Sequence, residues 1–308
     1  MTYDPPGGLA VGARPQALPW SPTPVVRASL WLHAGALAAV AVQPSWWPGA
    51  LGAIAANHAV LACGMHPRGR MLGPNLARLP PEAARLGLVA LTFDDGPDPE
   101  VTPRVLDLLD AHGAGASFFA IGRRAARHGA LAREVVRRGH AVENHTHRHP
   151  LGFAAWPPGA MLREVAAAQR AIADACGREP RFFRAPMGLR SPLLDPVLAA
   201  AGLSLVSWTR RGYDGVRSRP EGVLRRLTRR LSPGDVLVLH DGRCARAPDG
   251  RPVVLAALPG LLARLEAAGL RAVSLTGALD AAARAATAGA AGPAAGPASR
   301  GPAARASR

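Results

Sequence analysis

Residues 88–98 read Leu-Val-Ala-Leu-Thr-Phe-Asp-Asp-Gly-Pro-Asp, and no other segment narrows the possible folds as far. An apolar run stops at two adjacent carboxylates, Asp94 and Asp95, and Gly96-Pro97 then turns the backbone at once. Leu88, Val89, Ala90, Leu91 and Phe93 make a strand that is apolar on both faces, the pattern of a parallel sheet covered by helices. In such sheets chemistry gathers at the carboxyl ends of the strands. Two neighbouring like charges repel and are costly to desolvate, so the pair implies a cation between them.

The downstream pattern fits that class. Thr102-Pro103 begins a helix whose apolar face carries Val105, Leu108 and Leu109, and Gly113 stops it. Further strands are expected at 116–121, 140–143, 182–183, 203–208, 236–240 and 272–275. Helices are expected between them at 130–138, from Leu162 to Gly177, and at 194–201, 222–231 and 253–268. Alternation of this kind predicts βα units, hence an α/β protein with a parallel sheet or a (β/α) barrel.

The N-terminal part is different. Residues 1–24, rich in Pro and Gly, read as a disordered leader. Residues 25–42 and 47–64 are nearly free of charge, with Arg27 at the first edge and a break at Pro44-Ser45-Trp46-Trp47-Pro48. Each run is near the lower limit of about 17 residues for crossing a bilayer, and the paired tryptophans suit its interface. The expectation is a membrane-anchoring transmembrane hairpin; a pair of buried helices or an uncleaved signal segment is the competing reading. His33 and His58 read as packing or headgroup residues. The connecting loop has no arginine, whereas Arg14 and Arg27 precede the hairpin and Arg68, Arg70 and Arg78 follow it. The charge rule therefore puts both flanks on the cytoplasmic side, of a bacterial inner membrane, whereas a single span would put the large domain outside. Residues 65–87 read as a linker, and residues 279–308, with no amphipathic period, as a disordered Ala/Gly/Pro/Arg tail.

The formal charge of +16 comes entirely from arginine, since the chain has no lysine. A basic surface suits an anionic membrane or an acidic glycan. The arginines are scattered, with no stripe interleaved with aromatics, so no nucleic-acid partner is expected. Cys63, Cys176 and Cys244 make no closed disulfide framework, and nothing in the pattern states an oligomeric state.

A second chemical segment is His145-Thr146-His147-Arg148-His149. On a helical backbone two histidines four apart point the same way and can share a metal. Joined by Asp95 they form a set suited to zinc with an open position for water, while His147 projects elsewhere.

Four segments, Thr92-Phe93-Asp94-Asp95-Gly96, His145-Thr146-x-x-His149, Phe183-Arg184-Ala185-Pro186 and Leu237-Val238-Leu239-His240-Asp241, resemble in order the motifs of the polysaccharide deacetylases, carbohydrate esterase family 4, over residues 88–278. The resemblance implies a distorted (β/α) barrel, the NodB homology domain, that removes acetyl groups from an N-acetylated amino sugar with a divalent metal. It implies zinc first, with cobalt, nickel or manganese as alternatives, held by Asp95, His145 and His149. Asp94 would take a proton from the attacking water, and Arg184 would orient Asp94. His240 would protonate the departing amine, with Asp214 paired to it. Backbone N–H groups after Asp94 or near Met187 would face the oxyanion. Substrate would meet Pro186, Met187, Trp208 and Arg210, with Leu237 or Leu239 lining the acyl pocket.

This chain also departs from the pattern. In Ser207-Trp208-Thr209-Arg210-Arg211-Gly212-Tyr213-Asp214-Gly215, Arg211 and Gly215 stand where the family often has an acid and a tryptophan. Met187 stands where tyrosine is common. The substrate pocket is thus expected to differ, and Arg210 or Arg211 could meet an anion on the substrate, against the plainer reading of solvated charge. Asp98 and Asp241 read as loop residues without a role. The alternatives are a membrane-facing deacylase or deformylase of a lipid-linked aminosugar, and an inactive glycan-binding homologue.

Overall fold

A computed structural model describes residues 17–290, so the ends of the expected leader and tail, residues 1–16 and 291–308, lie outside the described part. The order is α1 (Pro24–Val42), α2 (Trp47–Gly64), α3 (Pro81–Arg85), β1 (Leu88–Asp94), α4 (Thr102–Ala111), β2 (Ser117–Ala120), α5 (Gly122–Arg127), α6 (Gly129–Arg137) and β3 (Ala141–Asn144). It continues with α7 (Pro158–Cys176), β4 (Phe182–Phe183), α8 (Leu194–Ala200), β5 (Ser204–Leu205), β6 (Arg210–Arg211), α9 (Pro220–Thr228), β7 (Val236–His240), α10 (Val253–Ala267), β8 (Arg271–Val273) and α11 (Leu275–Ala290).

All strand pairs are parallel, in the order β5-β4-β3-β2-β1-β7-β6, with β8 also on β1. Register brings the carboxyl ends level. Asp94 is opposite Phe119 on β2 and His240 on β7, Ala120 is opposite Asn144, and Asn144 is opposite Phe183. The residues that follow those last rungs, Asp95, His145 and Arg184, therefore emerge at one end of the curled sheet. Between β5 and β6 the sheet is open, and there Leu76 bridges to Val206 and Arg78 to Asp235.

Successive strand residues point to opposite faces, and the two faces bury different partners. Val89, Leu91, Phe93, Leu237 and Leu239 pack with Val105, Leu258 and Leu262 of the surrounding helices. On the other face Ala90, Phe119, Phe182, Val206 and Val236 pack with Leu79, Ala83 and Leu275. Phe93 is wholly buried, and cutting it to Ala would cost about 3–5 kcal/mol.

Three expectations need correction. The supposed linker over 65–87 is part of the fold, because Leu79 and Ala83 belong to the core and Arg78 bonds Asp235. The tail expected from residue 279 starts inside α11, whose buried Leu275, Ala278 and Ala282 face the core. Alanine there carries too little hydropathy for the period to stand out. The strand expected at 203–208 is only Ser204–Leu205, and α5, too short for a detectable period, was not expected.

The N-terminal helices form an antiparallel pair. Pro24 occupies the first position of α1, and Thr23 caps it through a bond from the Val26 N–H. Thr23 Oγ1 also donates to the Met71 carbonyl at 3.0 Å, and the Leu18 N–H donates to the Ala199 carbonyl at 2.8 Å, so the base of the pair is seated on the sheet domain. Asn57 donates to Ser29 Oγ across the pair, and His33 and His58 face one another at 3.2 Å. The outer faces expose Trp31 (77%) and Leu37 (75%). Among the described residues one helix, Pro24–Val42, is long and apolar enough to cross a membrane.

Candidate active site

Asp94, the last residue of β1, is 5% exposed and ion-paired to Arg184 at 2.6 Å. Arg184 is the residue after β4 and is almost wholly buried. It also donates to Thr92 Oγ1 at 2.8 Å and to the Ser207 carbonyl at 3.0 Å, and its guanidinium lies 4.0 Å from the Phe119 ring centroid. Burial pushes the Asp94 carboxyl upward, but the charges of Arg184, His145 and His240 outweigh it and hold the pKa below its ordinary 3.8. The carboxylate is thus kept ionised in a buried place.

Asp95 follows at φ 74°, which turns its side chain away from the strand. Its Oδ1 lies 3.6 Å from His145 Nε2 and 3.4 Å from His149 Nε2. The three ligand atoms lie within 4.8 Å of one another, and all three residues are buried. The expected reason for this convergence was a helical backbone; instead Thr146 and His149 take φ of 63° and 58° in a tight turn after β3. Thr146 Oγ1 accepts from the His149 N–H at 3.0 Å, and Asn144 Oδ1 accepts from the Thr146 N–H at 3.0 Å, so the turn is braced from within. His145 Nδ1 bonds to the Arg184 carbonyl at 2.8 Å, which fixes the ring with Nε2 toward Asp95. Burial first, then the charge of His145, lowers His149 to about 4, so its imidazole is neutral. Arg243 Nη1 is 3.1 Å from His149 Nδ1.

These residues fit a divalent cation. Asp95 Oδ1 is buried with no hydrogen-bond partner, and the imidazoles of His145 and His149 face it, a carboxylate-plus-nitrogen set with donor types suited to a first-row ion. Without a cation, the orphaned oxygen would carry the full cost of its lost hydration.

On β7, His240 is 7% exposed. Its Nδ1 lies 2.9 Å from Asp214 Oδ1, and its backbone N–H donates to Asp214 Oδ2 at 2.7 Å, so one wholly buried carboxylate grips the ring and the main chain. Burial alone would lower the imidazole, but Asp214, followed by Asp94 and Asp95, lifts it to about 9.

Other expected positions divide. Pro186 is buried and Met187 is 51% exposed at φ 58° beside the site; Trp208 is buried, its ring packed against Gly188 so closely that a Cβ there would collide. His147 lies outside the three-residue cluster, its Nδ1 near Gly122. Leu237 and Leu239 do not share the face of His240: both pack among the helices. Val238, two residues before His240 and 1% exposed, is on its side of the strand, and the two-residue period could have found it. Arg210 is also turned away. It bonds Asp235 at 2.5 Å and the carbonyls of Arg229 and Arg230, at the far end of β7 from His240.

Asp241, given no role in the sequence, is 1% exposed and accepts from Thr102 Oγ1 at 2.6 Å. Burial pushes its carboxyl up to about 7. It fills the space beside Gly96 so fully that a Cβ at that glycine would collide with the carboxylate, which fixes the turn after Asp95. Asp98 Oδ1 accepts from the Glu100 N–H at 2.9 Å, a loop role as expected.

Comparison with known proteins agrees with this geometry. The family described as "Polysaccharide deacetylase" matches residues 83–206. A chitooligosaccharide deacetylase of Bradyrhizobium sp. is 40% identical over 155 residues, covering 50% of this chain and 70% of that protein. A peptidoglycan-N-acetylglucosamine deacetylase of Bacillus cereus is 32% identical, covering 61% of this chain and 86% of that protein. A family 4 carbohydrate esterase from Streptomyces lividans, solved in complex with acetate, superposes with a TM-score of 0.55 at 33% identity, covering 60% of this chain and 91% of that one. From its parallel sheet, its convergent strand ends and these relatives, the chain belongs to the polysaccharide deacetylase family.

Proposed function

We propose that this protein is a metal-dependent N-deacetylase that hydrolyses the acetamide of an N-acetylated amino sugar. The observation that carries the reading is the partnerless Asp95 Oδ1 facing His145 and His149, with Asp94–Arg184 and Asp214–His240 at the same sheet end. Asp95, His145 and His149 would hold the divalent ion, zinc by donor type. Such an ion supplies Lewis acidity that brings a water pKa toward about 7 and polarises a carbonyl.

The chain's own residues do the rest. Asp94, held ionised by Arg184, accepts a proton from the attacking water. Arg184 cannot itself take that proton, and its bonds to Thr92 and Ser207 keep the Asp94 oxygen in one place. His240, charged below about pH 9, donates a proton to the departing amine, a very poor leaving group without it. Asp214 fixes the His240 ring and stabilises its charged form. Val238 and Trp208 suit an apolar wall for the acetyl methyl, and Pro186 and Met187 would face the sugar. The deacetylase unit begins before residue 88, since Leu79 and Ala83 belong to its core.

We read α1 and α2 as a membrane anchor, supported by the exposed Trp31 and Leu37 and by the length of α1. If both helices cross, the arginines flanking them favour a cytoplasmic domain; if α1 crosses alone, the domain lies outside. A reporter fused after Arg85 decides between the two. The enzymatic reading is tested by metal-dependent acetate release from N-acetylated sugars, free and lipid-linked. Release by wild type but not by Asp94→Asn supports it; glycan binding without release under any divalent metal makes the chain a binding homologue.

A further inference from the structure

Arg211 stands apart from the other arginines around the site. Arg184 has Asp94, Arg190 has Asp195, and Arg210 has Asp235. Arg211 makes no ion pair or side-chain hydrogen bond among the described residues, and its Nε is buried with no partner. Its guanidinium carbon lies 5.1 Å from the Trp208 ring centroid and 5.0 Å from that of Tyr213, so two aromatic rings hold it. Register places Arg211 level with Val238, two rungs below His240, whereas Arg210 is level with Leu237 on the helix-facing side. The same Trp208 ring lies 5.8 Å from the guanidinium of Arg184. Arg211 is thus one indole away from the arginine that grips Asp94. Its charge weighs on Arg184, and an anion beside it would relieve that repulsion.

A half-buried guanidinium with unused donors pays for lost hydration, and the π faces that hold it give it no acceptor. Tyr213 is 46% exposed and Met187 51% exposed, so solvent reaches this wall. A neutral acetamido sugar offers it dipoles only, whereas a carboxylate or phosphate matches the planar fork of donors. Resting on the deacetylase reading above, we infer that the substrate is an anionic N-acetylated amino sugar, its carboxylate or phosphate bound by Arg211 against Trp208 and Tyr213.

The test uses the full-length metal-loaded protein and three probes: an N-acetylglucosamine disaccharide, the same disaccharide with a 3-O-carboxyalkyl ether, and the same with an anomeric phosphate. Wild type should favour one charged probe. Arg211→Met should lose about 10–150-fold in kcat/KM on that probe, the range for a hydrogen bond to a charged group, mainly through KM, and keep its rate on the neutral one. Arg211→Lys should recover part of the loss, and the arm that responds separates carboxylate from phosphate. Equal losses on all three probes, or a wild-type preference for the neutral one, would make Arg211 a brace for the two rings and overturn the inference. Arg211→Gln takes the place of the Met variant should that one melt early. If wild type releases acetate from none of the probes, the deacetylase reading fails. Calorimetric titration with the two charged probes then decides the site: binding lost in the variant supports it, and binding absent or unchanged ends it.

Discussion

Two regions of this molecule break the usual partition of polar and apolar groups, in opposite directions. At the carboxyl ends of the strands, Asp94, Asp95, His145, His149, Arg184, Asp214 and His240 are all less than a tenth exposed. In the helical pair the inversion runs the other way, with Trp31, Leu37 and Val42 more than two-thirds exposed. Charge is rarely buried unless paired, and large exposed apolar surface marks a contact. The difference lies in how complete each region is by itself. The strand ends pair most of their buried charges internally, Asp94 with Arg184 and Asp214 with His240, and leave the Asp95 Oδ1 that faces His145 and His149 without a hydrogen-bond partner. The helices leave a whole outer surface open, which suits a solvent of hydrocarbon.

That contrast can be broken by experiment. The largest effect is expected at the open oxygen: Asp95→Asn, His145→Ala or His149→Ala should abolish metal retention and turnover together, checked by elemental analysis and acetate release. Asp94→Asn should lose about 10²–10⁴-fold in kcat while retaining its metal, since it removes the proton acceptor and its ion pair with Arg184 but none of Asp95, His145 and His149. Retained turnover in that variant would remove the proposed base.

In the helical pair, Leu37→Arg should weaken partition into vesicles by about 100-fold, from a cost of about 2.5–3.5 kcal/mol for arginine at mid-bilayer, with turnover of a soluble substrate unchanged. A fall in turnover as well would mean that the two regions are coupled. The pH profile gives the smallest effect. His240 must carry its proton to act as an acid, so kcat should hold up to about pH 9 and fall above it. Asp214→Asn removes the largest influence raising that value, and the alkaline limb should then move toward the ordinary 6.5 or lower. A limb that stays near 9 would separate His240 from the proton transfer.

Much of the site was legible because it depends on local pattern. An apolar run ending in Asp94-Asp95 announced a strand end, and the turn residues after it announced where the chain left the sheet. The spacing of His145 and His149 also pointed to a candidate ligand pair, and the structure does bring both beside Asp95, although for a different backbone reason: the turn uses two residues at positive φ, which sequence spacing does not display. Leu237 and Leu239 were misplaced where the alternation of side chains along β7 would have chosen Val238. Arg210 and Arg211 were indistinguishable as neighbours, and only the pairing of Arg210 with Asp235, the residue before β7, separated them.

From its residues alone the chain determined the βα alternation, the two apolar N-terminal runs and the types of group available for hydrolysis, because all three follow from short-range periodicity and side-chain chemistry. Tertiary structure decided which groups meet. Parallel register between β1, β7, β2, β3 and β4 sets Asp94 beside His240 and carries His145 and Arg184 to the same end. The closing of the sheet by residues 76–79 and the docking of α11 were likewise settled there. The physical reason is the same in each case: a contact between residues far apart in sequence depends on strand register and packing, and neither leaves a mark in the spacing of a single segment.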